Sequence, residues 1–151
     1  MSSFSSSYLT IDYRPEPRVL SGCWRRGVMP CELHEGYAAL LDKAVSHRCR
    51  FWLIDLSGRA GGIDAADVQW MLEVFFPQLP LRLRLPAYLA YLMAPHQLAG
   101  ALANPNIPAL SYFDNRPYHI ERFTTEDTAL DWLQHRRRHD ARARRRKAVS
   151  Q

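Results

Sequence analysis

Two apolar runs separated by one amphipathic helix constrain this chain more than any other feature. Residues 51–56 are apolar except for Asp55, and residues 88–93 carry no charge. Runs of this length without alternation predict strands covered on both faces. Between them, Val68, Met71, Leu72, Phe75 and Leu79 recur at helical spacing, with Asp64 placed to cap the helix. Pro77 and Pro80 bend or end it. A strand, a crossover helix and a second buried strand make a parallel pair with a right-handed connection.

The pattern extends in both directions. Leu9, Ile11 and Tyr13 alternate with Thr10, Asp12 and Arg14, the period of a half-buried strand. Pro15 and Pro17 interrupt it, and a second strand over 18–25 closes an antiparallel hairpin. Pro30 suits the first turn of a helix whose inner face is Leu33, Tyr37, Leu40, Leu41, Ala44 and Val45. A short helix spans 95–104, with Leu98 and Leu102 one turn apart, and a proline-interrupted loop spans 104–117. A more polar edge strand covers 118–123. Thr124 caps the last helix, docked by Leu130 and Leu133. The expected fold is α/β in the order ββαβαβαβα: a five-stranded mixed, mostly parallel sheet with an N-terminal antiparallel hairpin and about four helices. Residues 1–7 read as a flexible N-terminus, 8–134 as one domain, and 135–151 as a basic tail without an apolar stripe to anchor it.

A chain of 151 residues, 47% hydrophobic and 23% charged, suits one globular domain and excludes collagen, a disordered chain or a large multidomain enzyme. The longest apolar stretch, 87–94, is too short to span a membrane, and MSSFSSS has neither half of a secretory signal. The net charge of +5 conceals an asymmetry. Arg136, Arg137, Arg138, Arg142, Arg144, Arg145, Arg146 and Lys147 stand against Asp140 alone, leaving 12 basic and 14 acidic residues elsewhere. The tail is either a solvated end or an electrostatic arm for nucleic acid. Three cysteines without a CxxC predict a reducing, cytoplasmic setting, with neither a disulfide framework nor a zinc site.

The sequence Phe51-Trp52-Leu53-Ile54-Asp55-Leu56-Ser57-Gly58, followed by Ile63-Asp64-Ala65-Ala66-Asp67, resembles the centre of a STAS domain, the anti-sigma-factor-antagonist-like or SpoIIAA-like fold. The stretch from Arg122 to Leu133 is similar to the last strand and helix of that family. The resemblance covers residues 8–133. It implies a non-catalytic bacterial regulatory module that works by protein contact, as a homodimer or with another partner. The family's phosphorylatable serine aligns with Ala65, which has no hydroxyl. The loop before it is one residue longer, with Gly61 and Gly62. The family's phospho-switch is therefore not expected, and its sigma-factor role is put in question.

Gly58, Arg59, Gly61 and Gly62 lie between a strand and a helix, where backbone N–H groups can cradle an anion and Arg59 can clamp it. The same glycines also suit a plain tight turn. Neither GxxxxGK[ST] nor GxGxxG is present, so no nucleotide cofactor is expected. Asp55 and His96 each follow a central strand and are expected at one rim of the sheet. The alternative role for Asp55 is to organise its own loop by hydrogen bonding. His34, His47 and His119 lack HExxH spacing, and there is no GxSxG elbow, so no catalytic or metal-binding residue is nominated. Trp70 falls outside the stripe of Val68, Met71 and Phe75 and is a candidate partner patch. The leading expectation is a non-enzymatic STAS-like interaction module. The alternative is a small-molecule or anion binder, or an enzyme, using the 58–62 loop. Nucleic-acid contact through the tail ranks third.

Overall fold

The computed structural model describes residues 3–59 and 64–149. Six strands form one sheet: β1 (Ser3–Ser5), β2 (Leu9–Arg14), β3 (Val19–Trp24), β4 (Phe51–Asp55), β5 (Ala87–Leu92) and β6 (Tyr118–Phe123). Their order in space is their order in sequence. The β1–β2 and β2–β3 pairs are antiparallel, and the remaining pairs are parallel. The mixed, mostly parallel α/β sheet with its leading hairpin is thus as expected, with one strand more. Residues 3–5, read from sequence as part of a flexible end, pair with residues 10–12. Three Ser-rich residues are too few to display an alternation.

Sequential strand order has a geometric consequence. Right-handed crossovers between successive neighbours place every crossover helix on the same side of the sheet. Helix α1 (Pro30–His47), the short α2 (Ala65–Trp70), α3 (Gln78–Leu83) and α4 (Pro95–Ala103) occupy that side. Only α5 (Glu126–Val149), which follows the last strand, covers the other. Alternation along β4 shows the division. Trp52 and Ile54 join Leu40, Phe75 and Leu89 in the larger core, whereas Phe51 and Leu53 join Tyr88, Ala129 and Leu133 beneath α5. Helix α1 approaches β3 closely because glycines permit it. A Cβ on Gly36 would lie 2.4 Å from the Trp24 ring, and one on Gly22 would lie 2.8 Å from Leu40.

Asp64 caps α2 as expected, its Oδ1 accepting from the Asp67 N–H at 2.8 Å. The helix does not run straight to its prolines. Residues 71–75 form a π-helical turn, in which the Phe76 N–H reaches back to the Met71 carbonyl. Pro77 cannot donate to the ladder and crowds the carbonyl four residues back, and the wider turn delivers the chain into α3 instead. The final helix starts one residue later than expected: Thr125, not Thr124, accepts from the Thr128 N–H.

The basic tail expected from residue 135 prolongs the last helix. Helix α5 continues without interruption to Val149. Three side chains hold its middle, and none is aliphatic. Arg136 lies 5.2 Å from the Tyr88 ring centre and Arg137 lies 4.4 Å from that of Phe51. Arg137 also donates to the Pro17 and Arg18 carbonyls. Asp140 is buried, pairs with Arg50 at 2.8 Å and accepts from the Tyr88 hydroxyl. The other six basic residues of the stretch, Arg138, Arg142, Arg144, Arg145, Arg146 and Lys147, lie on this same helix.

Candidate ligand pocket

The parallel strands β4, β5 and β6 all end at one edge, and a cavity of about 430 Å³ opens there on the crossover-helix side. This is where open α/β sheets receive ligands, since the loops after the strands diverge around a gap. Val68, Met71 and Leu72 of the α2 segment form one wall. Ile107 and Phe113 form another, from a stretch that sequence reasoning reads as a featureless loop. The sheet supplies the floor with Tyr91, Ile120 and Arg122. Among the described residues no carboxylate lines the cavity.

Helix α4 forms the roof. It contains no buried residue, so packing contributes little to its position. Gln97 holds it instead. Its Oε1 accepts from the Ala94 N–H at 2.7 Å, and its Nε2 donates to the carbonyls of Leu56 at 2.8 Å and Arg59 at 2.9 Å. One side chain thereby caps the helix and staples it to the loop after β4. Gln97, Gly100, Ala101 and Asn104 share the helical face turned to the cavity, while Leu102 is exposed. The pair of leucines one turn apart is thus not the inward face. The short helix is aligned by a polar staple.

Asp55 and His96 do not meet. His96 lines the cavity, but Asp55 does not. Strand parity separates them: Ile54 faces the crossover helices, so Asp55 faces the opposite side. There its Oδ1 accepts from the Ser57 N–H at 2.8 Å and the Ser57 hydroxyl at 2.5 Å. It organises the loop, and the expectation of a shared rim is corrected. Gly58 lets this loop close against β3, where a Cβ would stand 3.1 Å from the Trp24 carbonyl. Arg59 lines the cavity, whereas Gly61 and Gly62 lie outside the described residues. Ala65 is exposed at the first position of α2, directly after the Asp64 cap.

Trp70 is half-buried rather than a free patch. Its ring stacks on His34 at 4.0 Å and also neighbours Phe75 and Tyr37. The π-helical turn that follows breaks the constant 3.6-residue spacing on which the stripe was drawn. The large apolar residues exposed among those described are Met29, Val74, Leu81, Leu102, Tyr112 and Val149.

The polar groups of the cavity were the least legible part of the sequence. Tyr37 from α1 and Tyr91 from β5 are both buried, with hydroxyls 3.1 Å apart. Burial pushes the Tyr37 phenol up to about 12 and that of Tyr91 well above its ordinary range, so both stay protonated. Arg122 is the cross-strand partner of Tyr91 on the same face. Burial lowers its pKa, opposed chiefly by the charge of Glu121. Among the described residues its guanidinium makes no ion pair within 4 Å. Only a pattern of spaced aromatics and basic residues marks these positions, and it does not distinguish a pocket from a core.

The fold and site define an α/β domain with its crossover helices on one side of the sheet, its last helix on the other, and a cavity at the strand ends. Comparison with protein-family models, curated proteins and solved structures gives no match.

Proposed function

We propose that this chain is a non-catalytic, STAS-like regulatory module that works by binding a small, largely apolar molecule in the cavity beneath α4. The cavity carries the reading: its volume of about 430 Å³ lies in the range of small-molecule sites, with mostly apolar walls and a few converging polar groups. Binding without chemistry is supported by the separation of Asp55 from His96 across the sheet, which leaves the imidazole without a partner acid in the pocket. The STAS-like part of the reading draws on the leading hairpin, the sequential crossovers and the Asp64-capped helix. With Ala65 unable to accept phosphate, a ligand against Val68, Met71 and Leu72 would act on the same helix by contact.

Gly100→Leu tests this directly. A Cβ at Gly100 meets nothing within 4 Å, and the residue sits on the cavity-facing side of α4. Leucine therefore enters the cavity without a backbone clash and improves helix propensity by about 0.8 kcal/mol. The neutral probe decanol should raise the Tm of the wild type in a concentration-dependent manner. Gly100→Leu should fold with an equal or higher Tm and show no decanol response. An unchanged response would place the ligand elsewhere, and no response in the wild type would remove the reading.

A further inference from the structure

We infer that the ligand of this pocket is a monocarboxylate with an apolar body, its head group held by Arg122 and Arg59 together with a phenolic O–H of the Tyr37–Tyr91 pair. The inference rests on the pocket reading above and adds the chemistry of the head group. Three observations converge.

The first is charge. Among the described residues two arginines line the cavity and no carboxylate does. Arg122 is half-buried, and no side-chain oxygen among the described residues receives its guanidinium within ion-pair distance. Glu121 attracts it, but strand parity turns Glu121 to the other side of the sheet. Arg59 also acts on the nearby carboxyl of Asp67, which leaves Arg122 as the principal anion donor. A desolvated guanidinium without a fixed counter-charge favours an anionic partner, and its fork matches a carboxylate.

The second is a spare donor. The two tyrosine hydroxyls carry two hydrogens between them and use one in their mutual bond. The second hydrogen has no protein acceptor among the described residues, although Tyr37 is 3% and Tyr91 is 9% exposed. A buried hydroxyl hydrogen of this kind calls for an acceptor. Arg122 is the cross-strand partner of Tyr91 on the cavity face, so this donor and this cation stand side by side, and Arg59 lines the same cavity.

The third is the remainder of the wall. Beyond this end the lining is Val68, Met71, Leu72, Phe76 and Ile107, which suits an aliphatic or aromatic body. A single negative charge fits such a setting better than a phosphate dianion, because each further charge adds a desolvation cost.

The test compares decanoate, decanol and decyl phosphate, each below its micelle concentration, by titration calorimetry on the wild type, Arg122→Gln and Arg59→Gln. In the wild type, decanoate should bind about tenfold or more tightly than decanol, as expected for charge-assisted hydrogen bonds, and more tightly than decyl phosphate. Arg122→Gln should bring decanoate down to the level of decanol while decanol affinity stays unchanged, which also certifies the fold of the variant. Arg59→Gln should have a smaller effect in the same direction. Decanol binding as well as decanoate in the wild type would overturn this inference and leave the pocket reading standing. A preference for decyl phosphate would overturn the monocarboxylate assignment. Failure of all three probes to bind would overturn the inference and the pocket reading together.

Discussion

At the residue scale, the fate of each charged side chain follows from strand parity and burial. Asp55 was legible as a residue at a strand end, but which face it took depended on register, and a shift of one position reverses every side chain. His119 lies on the α5 side of β6 and stacks on Tyr88 at 5.1 Å. Burial lowers its pKa, and Arg136 adds to the effect, against weaker opposition from Asp114 and Asp140. The folded protein therefore takes up the His119 proton at lower pH than the unfolded chain, whose value is near 6.5. This contribution to stability is complete above pH 6.5 and is lost as the pH falls through the lowered folded value. Thermal unfolding should show the Tm of the wild type falling between pH 7.5 and pH 5.5, and His119→Gln should flatten that part of the curve. An identical pH dependence in the variant would remove His119 from the account.

At the element scale, periodicity located the strands and helices because apolar burial dictates their spacing. It failed where other forces set the boundary. The π-helical turn arises from the backbone demands of Pro77, which a hydrophobic pattern does not encode. Helix α5 outruns its apolar stripe because arginines stack on Tyr88 and Phe51 and Asp140 meets Arg50. Such contacts are individually modest, about 0.5–2 kcal/mol for a cation over a ring. The ion pair behaves differently, since removing Asp140 leaves Arg50 uncompensated with its side chain only 11% exposed. A chain ending after residue 141 should keep the wild-type stability within about 0.5 kcal/mol. A chain ending after residue 134 should lose about 3 kcal/mol or more, a fall in Tm of roughly 6–12 °C. Equal melting of the two truncated chains would show that the basic segment contributes nothing to the fold.

At the scale of the whole molecule, sequential strand order accounts for the two unequal faces. Crossover helices crowd one side and leave the other to the chain's last helix. The order of elements was readable from strand–helix alternation. The cavity was not, because its lining is drawn from α1, the α2 segment, α4, the loops that follow β4 and α4, and strands β5 and β6, which only the folded chain brings together. Among the described residues no helix is long and apolar enough to cross a membrane, and no group of three or more potential ligands could hold a metal ion. The strand-end cavity is the site proposed for binding. Methyl-detected NMR of the full chain during titration with decanoate tests this most directly, with Met71, Met93 and Ile107 as reporters inside the cavity and Leu130 and Leu133 beneath α5 as controls. The account predicts saturable shifts at the three reporters and still signals at the controls. Shifts centred on the α5 face, or no saturable shift at any methyl, would contradict it.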